Sequence, residues 1–395
     1  MTIATETEAP PPIAGPVPSA WREVTAPWLA DALATCPVFR GLELDGIEVE
    51  SLGAGRGFAA DLARIRLIGK LPAGAPETLI AKVAAERGET RDLLTEFGAY
   101  DREVRFYREL APGAGIPVPR CYAAIHGEEG RFALLLEDLA PAEGGDQIQG
   151  ASLERHEQVL RALAELHARW WNSDALLARS WLLADLDVER IRELFVAALD
   201  GFCEQIAPNC PSLARVAREL GRMPQGYQLP KHPRPFTLVH GDFRLDNVFF
   251  PSPEGGRFGL VDWQTTAIGA PSADVASWLI LSLRTEQRRE QGRHLLAVYH
   301  RALSERGVTG YPLARLRVEI AFVILFQVMG LVISGSALAL SEGRGRDLMH
   351  VLTQRVEAAL DDLRVPFWLP WLRRLLIALG ALRRWSSRLR GRGAG

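Results

Sequence analysis

Cysteine is scarce in this chain, and the four present (Cys36, Cys121, Cys203 and Cys210) show no CxxC pair and no histidine at zinc spacing. That excludes a zinc module and a disulfide framework. It fits free thiols in a reducing cytoplasm, with Cys203–Cys210 as the one pairing left open. A charge excess is also missing: the formal net charge is −2 and the sequence pI near 6.5, so no global field selects nucleic acid or another polyanion. Residues 1–20 lack the basic start and apolar core of a signal peptide. With Glu6, Glu8 and a run of prolines they read as disordered. Internal repeats are absent, and no acidic residue follows Asp362.

What is present is apolar bulk and one dense polar segment. At 395 residues and 48% hydrophobic content the chain can bury a large core or two smaller ones. The segment Leu238-Val239-His240-Gly241-Asp242-Phe243-Arg244-Leu245-Asp246-Asn247 is followed by the strand-like runs Val248–Phe250 and Phe258–Val261, with Pro251–Gly256 as a turn between them. Pairing those runs antiparallel sets Asn247 beside Asp262. Two hard oxygen ligands then converge, which suits magnesium held with the help of substrate phosphates. Asp242, one turn upstream, reaches a hydroxyl poised to attack a terminal phosphate. A lone His-x-Asp would be read as a polar loop. The ordered series His240, Asp242, Asn247, hairpin, Asp262 reads as phosphoryl transfer.

Along the rest of the chain, Trp21 to Thr35 reads as an amphipathic helix, and a period of two begins at Leu42 and recurs through Ala63, Ile65 and Leu67. Between these strands lies Leu52-Gly53-Ala54-Gly55-Arg56-Gly57-Phe58. It is either a flexible hairpin turn or a glycine-rich loop whose N–H groups approach phosphates. Thr78–Val83 is a third strand, on which Lys82 is a lone cation, either at a solvated edge or buried and paired. Asp92 to Leu110 predicts one helix, with Tyr100, Glu103 and Tyr107 on one face. Tyr122–Ile125 and Phe132–Leu139 read as further strands, the second ending in Glu137 and Asp138. Leu160, Leu163, Leu166 and Trp170 mark a helix that also carries His167, best read as a packed histidine. From 182 to 230 the pattern is helical, with Asp187–Leu199 on the substrate side. Asp274 fits the N-cap of a helix over Val275–Leu283. Ala321–Leu340 is nearly all apolar and reads as a buried helix, with a membrane span as the alternative.

The wording from His240 to Asn247, with Asp262-Trp263-Gln264 and Gly269-Ala270-Pro271-Ser272-Ala273-Asp274, resembles the aminoglycoside phosphotransferase superfamily. Within it the wording is most similar to the bacterial ecdysteroid-kinase-like (choline-kinase-like) group. Eukaryotic protein kinases carry Asp-Phe-Gly where this chain has Asp262-Trp263-Gln264, which argues against a protein kinase. The resemblance covers roughly residues 40–360, and its specific motifs lie in 238–276. It implies an α+β, two-lobed protein-kinase-like fold: a small antiparallel-sheet lobe over 21–138 that binds nucleotide, and a larger, mainly helical lobe over 139–365. It further implies that Gly53, Gly55, Gly57 and Lys82 hold the phosphates of ATP, and that Glu103 pairs with Lys82, with Glu96 as the other candidate. Glu137 and Leu139 would belong to a hinge whose backbone reads adenine. Asp242 would orient the acceptor hydroxyl and take its proton, and Asn247 and Asp262 would bind Mg2+. Arg244 would contact the transferred phosphate or form a salt bridge with Asp246. His240, Asp246 and Asp274 would brace the loop.

The activity implied is an ATP- and magnesium-dependent transfer of the γ-phosphate to a hydroxyl of a small molecule. A nucleotide-binding scaffold without turnover is the alternative, although Lys82, Asp242, Asn247 and Asp262 are all present. No acidic cluster for a polycationic acceptor stands out in 180–230 or 285–320, which leans towards a neutral or lipophilic alcohol. The expected partner is that alcohol, with no nucleic acid. The tail 366–395 carries an amphipathic pattern: Trp368, Trp371, Leu372, Leu375, Leu376, Leu379 and Leu382 against Arg373, Arg374, Arg384 and Arg388. It reads as a terminal helix docked on the larger lobe, or as one lying peripherally in an anionic membrane surface.

Overall fold

The computed structural model describes residues 16–52, 60–84, 88–128, 130–183, 188–223, 234–339 and 343–375. The glycine-rich turn, with Gly53, Gly55 and Gly57, lies outside the described residues. The first helix, α1 (Ala26–Leu33), is shorter than the expected Trp21–Thr35. Thr25 accepts the Trp28 N–H and Pro27 occupies the first turn, while Trp21–Glu23 forms a separate 3-10 turn.

Strands β1 (Glu43–Ser51), β2 (Ala60–Lys70), β3 (Thr78–Ala84), β4 (Cys121–His126) and β5 (Phe132–Glu137) form one sheet in the order β1-β2-β3-β5-β4, every neighbour antiparallel. The period of two assigns its faces. Ala133 and Leu135 pack with Leu79, Ala81, Val83 and α1 on the outer side. Phe132, Leu134 and Leu136 join the core that continues into the helical part of the molecule. Lys82, opposite Leu134, therefore sits on the inner face of a central strand. The edge-strand alternative does not apply.

The expected single helix over Asp92–Leu110 is broken. α2 (Glu89–Glu96) ends at Phe97, Gly98 takes a left-handed φ of 66°, and α3 (Ala99–Arg105) runs into a π-helical turn over Phe106–Leu110. The helical part then comprises α4 (Leu153–Arg169), α5 (Asp174–Leu177), α6 (Val188–Ile206) and α7 (Pro211–Gly221). The continuous pattern read over 182–230 is thus two helices, and 184–187 and 224–233 are outside the described residues.

A short sheet joins β6 (Glu143–Gly144), β8 (Val248–Phe250) and β9 (Gly259–Leu260), while β7 (Thr237–Val239) pairs with β10 (Ala267–Gly269). After β10 come α8 (Ser272–Ser277), α9 (Thr285–Glu305), α10 (Leu313–Ala339) and α11 (Arg344–Asp362). The expected helix over Val275–Leu283 instead starts at Ser272 and turns π-helical over Trp278–Ser282. Asp274 lies inside its first turn and is not its cap.

α10 departs from expectation too. Leu316, Ile320, Ile324, Val328 and Val332 are buried against the core, and Gln327 donates to Ser277 Oγ (2.6 Å) on α8. Val318, Phe322 and Phe326 face outward, so the helix is buried along one side only. Residues 365–375 form a last helix docked through Val365 and Leu369. The stripe expected to dock is split: Trp368 and Leu372 lie against α10, whereas Trp371 and Leu375 are exposed. Residues 376–395 are outside the described residues.

Candidate active site

The inner face of β3 meets α3 at one buried ion-pair cluster. Lys82 Nζ lies 2.8 Å from Glu103 and 2.7 Å from Asp262 Oδ1, with Lys82 7% exposed and Glu103 fully buried. Burial alone would discharge the lysine, but the two carboxylates outweigh it and hold its pKa above the ordinary value. Burial also opposes ionisation of Asp262, yet Lys82, Arg244 and His240 keep that carboxyl below the usual carboxylate range. One ammonium thus serves two acids, and burial holds the Glu103 carboxyl above its ordinary range. Glu103 Oε1 also accepts the Trp263 N–H (3.3 Å), and the Trp263 ring stacks on Phe106 at 3.9 Å, which fixes the chain after Asp262 against α3. Glu96, the other candidate partner for Lys82, is instead paired with Arg190 at 2.9 Å.

The loop between β7 and β8 is held from below by Asp274. Its carboxylate accepts the backbone N–H groups of His240 (2.7 Å) and Gly241 (3.0 Å) and lies 3.3 Å from His167 Nε2. His167 Nδ1 meets the Tyr299 hydroxyl at 2.7 Å. Burial raises the Asp274 pKa, but His167, His240 and these hydrogen bonds hold it down overall. Gly241 has a φ of +86°, and a Cβ there would stand 2.3 Å from the Thr265 carbonyl oxygen, so a glycine is needed for this turn. His240 donates from Nε2 to the Val261 carbonyl (2.9 Å) and receives the Asp242 N–H at Nδ1 (3.3 Å), which ties the two halves of the site together.

β8 and β9 pair with Val248 opposite Leu260, and Val261 donates to the Asn247 carbonyl (2.9 Å). Asn247 and Asp262 are thereby brought to the same edge. Asn247 Nδ2 donates to the Asp242 carbonyl (2.8 Å) and to Asp242 Oδ2 (3.2 Å). Arg244 Nε donates to the same Oδ2 at 2.8 Å. Asp242 Oδ1 has no hydrogen-bond partner among the described residues. Arg244 Nη1 reaches Asp246 Oδ2 (3.3 Å) and Gln147 Oε1 (3.1 Å), the salt-bridge arrangement.

The donor set fits a magnesium ion on chemical grounds. One carboxylate and one amide oxygen are hard ligands. Among the described residues no group of three or more His, Cys, Asp or Glu is placed to hold a metal ion by itself.

At the proposed hinge, Glu137 is engaged on every side. Its N–H donates to the Arg120 carbonyl (2.8 Å), and its carboxylate accepts from Arg120 N and Arg257. The Glu137 N–H is therefore engaged within the protein. The Leu139 N–H has no partner among the described residues.

Two residues of the site carry no sequence signal. Gln147, fully buried, donates its N–H to Asp246 Oδ1 (2.7 Å) and its side chain to the Leu281 carbonyl (3.0 Å). Arg344, at the start of α11, bridges Asp146 (3.0 Å) and Asp246 (2.9 Å). Both depend on partners about a hundred residues or more away in the chain, which no spacing rule reports.

The model of the phosphotransferase enzyme family matches residues 56–314 of this chain. Among curated proteins, the acyl-CoA dehydrogenase family member 10 of Mus musculus is 48% identical over 187 residues, 47% of this chain and 17% of that protein. The acyl-CoA dehydrogenase family member 11 of Homo sapiens is 42% identical over 48 residues, 12% of this chain and 6% of that protein. The chain thus spans less than a fifth of the length of these relatives. Among solved structures, the GDP and kanamycin complex of APH(2")-IIia is 14% identical, covers 86% of this chain and 99% of its own, and has a TM-score of 0.50. It shares the kinase-like fold.

Proposed function

The chain belongs to the phosphotransferase enzyme family, and from that premise we propose that it moves the γ-phosphate of ATP, with magnesium, to a hydroxyl of a small molecule. The observation that carries the reading is the pair of linked clusters: Lys82 between Glu103 and Asp262, and Asp242 fixed by Arg244 and Asn247 with Oδ1 left for an acceptor.

Phosphoryl transfer needs alignment and charge neutralisation more than covalent help. Asp242 Oδ1 orients the acceptor hydroxyl and takes its proton as the oxygen attacks the γ-phosphorus and the bond to ADP breaks. Arg244 holds the Asp242 carboxylate in place and stands where it would meet the transferred phosphate. Lys82, kept charged by its two carboxylates, presents its ammonium to the nucleotide phosphates, together with the loop carrying Gly53, Gly55 and Gly57. Asn247 and Asp262 would hold magnesium, which when bound offsets charge on the phosphate oxygens. Leu139 N–H is the hinge amide available to a base.

We place the chain with the ecdysteroid-kinase-like group, supported by the wording around Gly269-Ala270-Pro271 and Asp274. The acceptor we propose is a neutral or lipophilic alcohol, and the working compartment a reducing cytoplasm. The dehydrogenase named in the curated relatives is not carried across, because the matched family is a phosphotransferase and the shared stretch is a small part of those proteins. The test is a screen of alcohols, with ADP release and phosphate-ester formation both read. ADP and phosphomonoester in equal amounts for one alcohol class, abolished by EDTA, are expected. Nucleotide binding without ester from any alcohol would support the non-catalytic scaffold instead.

A further inference from the structure

The outward side of α10 and the last described helix form one apolar face that the catalytic reading does not use. On α10 the exposed residues Val318, Phe322 and Phe326 recur every fourth position, and on residues 365–375 Phe367, Trp371 and Leu375 do the same. Their relative exposures run from 45% to 74%, high for large apolar side chains. The two ridges are continuous. Phe322 and Trp368 are in ring contact at 5.3 Å, and an apolar groove of about 450 Å³ runs between the helices.

By length and composition, Leu313–Gly335 could cross a bilayer. Its inner side is already packed on the core, and Gln327 is bonded to Ser277, so it cannot also be surrounded by lipid. A helix with one packed side and one bare apolar side lies along an interface instead.

Charge says which interface. No Asp, Glu, Lys or Arg occurs from Ile320 to Leu340, and Glu319 is bonded to Arg315 and the Tyr311 hydroxyl. The rim is cationic: Arg317 lines the groove, and Arg374 stacks over Trp371. The sequence beyond continues with Arg383, Arg384, Arg388, Arg390 and Arg392, without an acid. Tryptophan between an apolar face and arginines is the composition of a helix seated at the headgroup level of an anionic bilayer.

We propose that this face, Val318, Phe322 and Phe326 with Phe367, Trp371 and Leu375, docks the protein on an anionic lipid surface. The experiment is flotation of the full-length chain with phosphatidylcholine vesicles, with and without phosphatidylserine, alongside the double variant Phe326→Ser/Trp371→Ser. These side chains are exposed, and an unchanged melting temperature verifies the variant's fold. Expected are binding to the phosphatidylserine vesicles, weakening in high salt, and a loss of at least about tenfold in partition for the variant. Equal partition of variant and wild type, or no preference for phosphatidylserine, overturns the proposal. So does a lipid-free dimer in sedimentation velocity that the double variant dissociates, because a second copy would then cover the face. Absence of both vesicle binding and dimer also overturns it.

Discussion

Asn247 donates its side-chain amide to the main-chain carbonyl of Asp242 at 2.8 Å, and to that residue's Oδ2 at 3.2 Å. The residue proposed to hold magnesium and the residue proposed to meet the acceptor are therefore one hydrogen-bonded unit. The same bonds orient the amide so that its nitrogen points at the loop, which leaves the oxygen for a cation. Position and charge at the two centres are coupled through a single side chain.

Asp242→Ala removes the proton acceptor but no proposed nucleotide ligand. Turnover should fall by roughly two to four orders of magnitude, while ATP affinity, read by calorimetry, stays within a few-fold of wild type. Near-normal phosphorylation of the identified alcohol by this variant would show that another group takes the proton.

Asp262→Ala should behave in the opposite way. It deletes one of two proposed metal ligands and one of the two carboxylates on Lys82. ATP affinity should weaken by roughly an order of magnitude or more in the presence of magnesium. A calorimetric titration that gives the same ATP·Mg affinity for wild type and variant would remove Asp262 from the metal site.

Much of this site was legible because its parts are local or periodic. Asp242, Asn247 and Asp262 sit on a loop and hairpin whose turn residues are plain, and Lys82 stands out as a lone cation on an apolar strand. Three things were not legible, each for a physical reason. The break at Gly98 needed the left-handed φ to be seen, since the apolar pattern runs through it. The bracing of Arg244 and Asp246 by Gln147 and Arg344 is long-range hydrogen bonding, which leaves no spacing signature. Asp274 was half legible: the resemblance implied the loop brace that its bonds to the loop N–H groups show, whereas the helix cap suggested by an acid opening an apolar helix is not formed. α10 is apolar all round, so its sequence could not say which side is packed.

His156 gives a pH test independent of catalysis. It is fully buried against Trp278, and neither ring nitrogen has a hydrogen-bond partner among the described residues. Burial, with Arg355 nearby, pushes its pKa from 6.5 down to about 4. Between those values the unfolded chain takes up a proton that the folded chain refuses, so this group makes stability fall as pH drops through that window. His156→Phe should flatten that fall between pH 7.5 and pH 5 by an amount on the order of 2 kcal/mol. Urea denaturation at pH 7.5 and pH 5 reads it, and parallel losses in wild type and variant would place the acid sensitivity elsewhere.

The ion pair on the inner face of the sheet carries the last prediction. Lys82 and Glu103 are 2.8 Å apart and both buried: removing the lysine strands two buried acids, removing the glutamate leaves Lys82 to Asp262 alone, and removing both leaves only Asp262 to be solvated or bound by a cation. Lys82→Met and Glu103→Gln should each cut kcat/KM, and the double variant should cost less than the product of the two factors. The coupling should lie within about 0.5–3 kcal/mol, the range for contacting residues. Glu96→Gln supplies the control, because Glu96 is held by Arg190 and should combine multiplicatively with Lys82→Met. Melting temperatures of all variants separate a lost fold from a lost interaction. Independent effects for Lys82 and Glu103, with coupling between Lys82 and Glu96 instead, would mean that the working state pairs the lysine differently from the arrangement described.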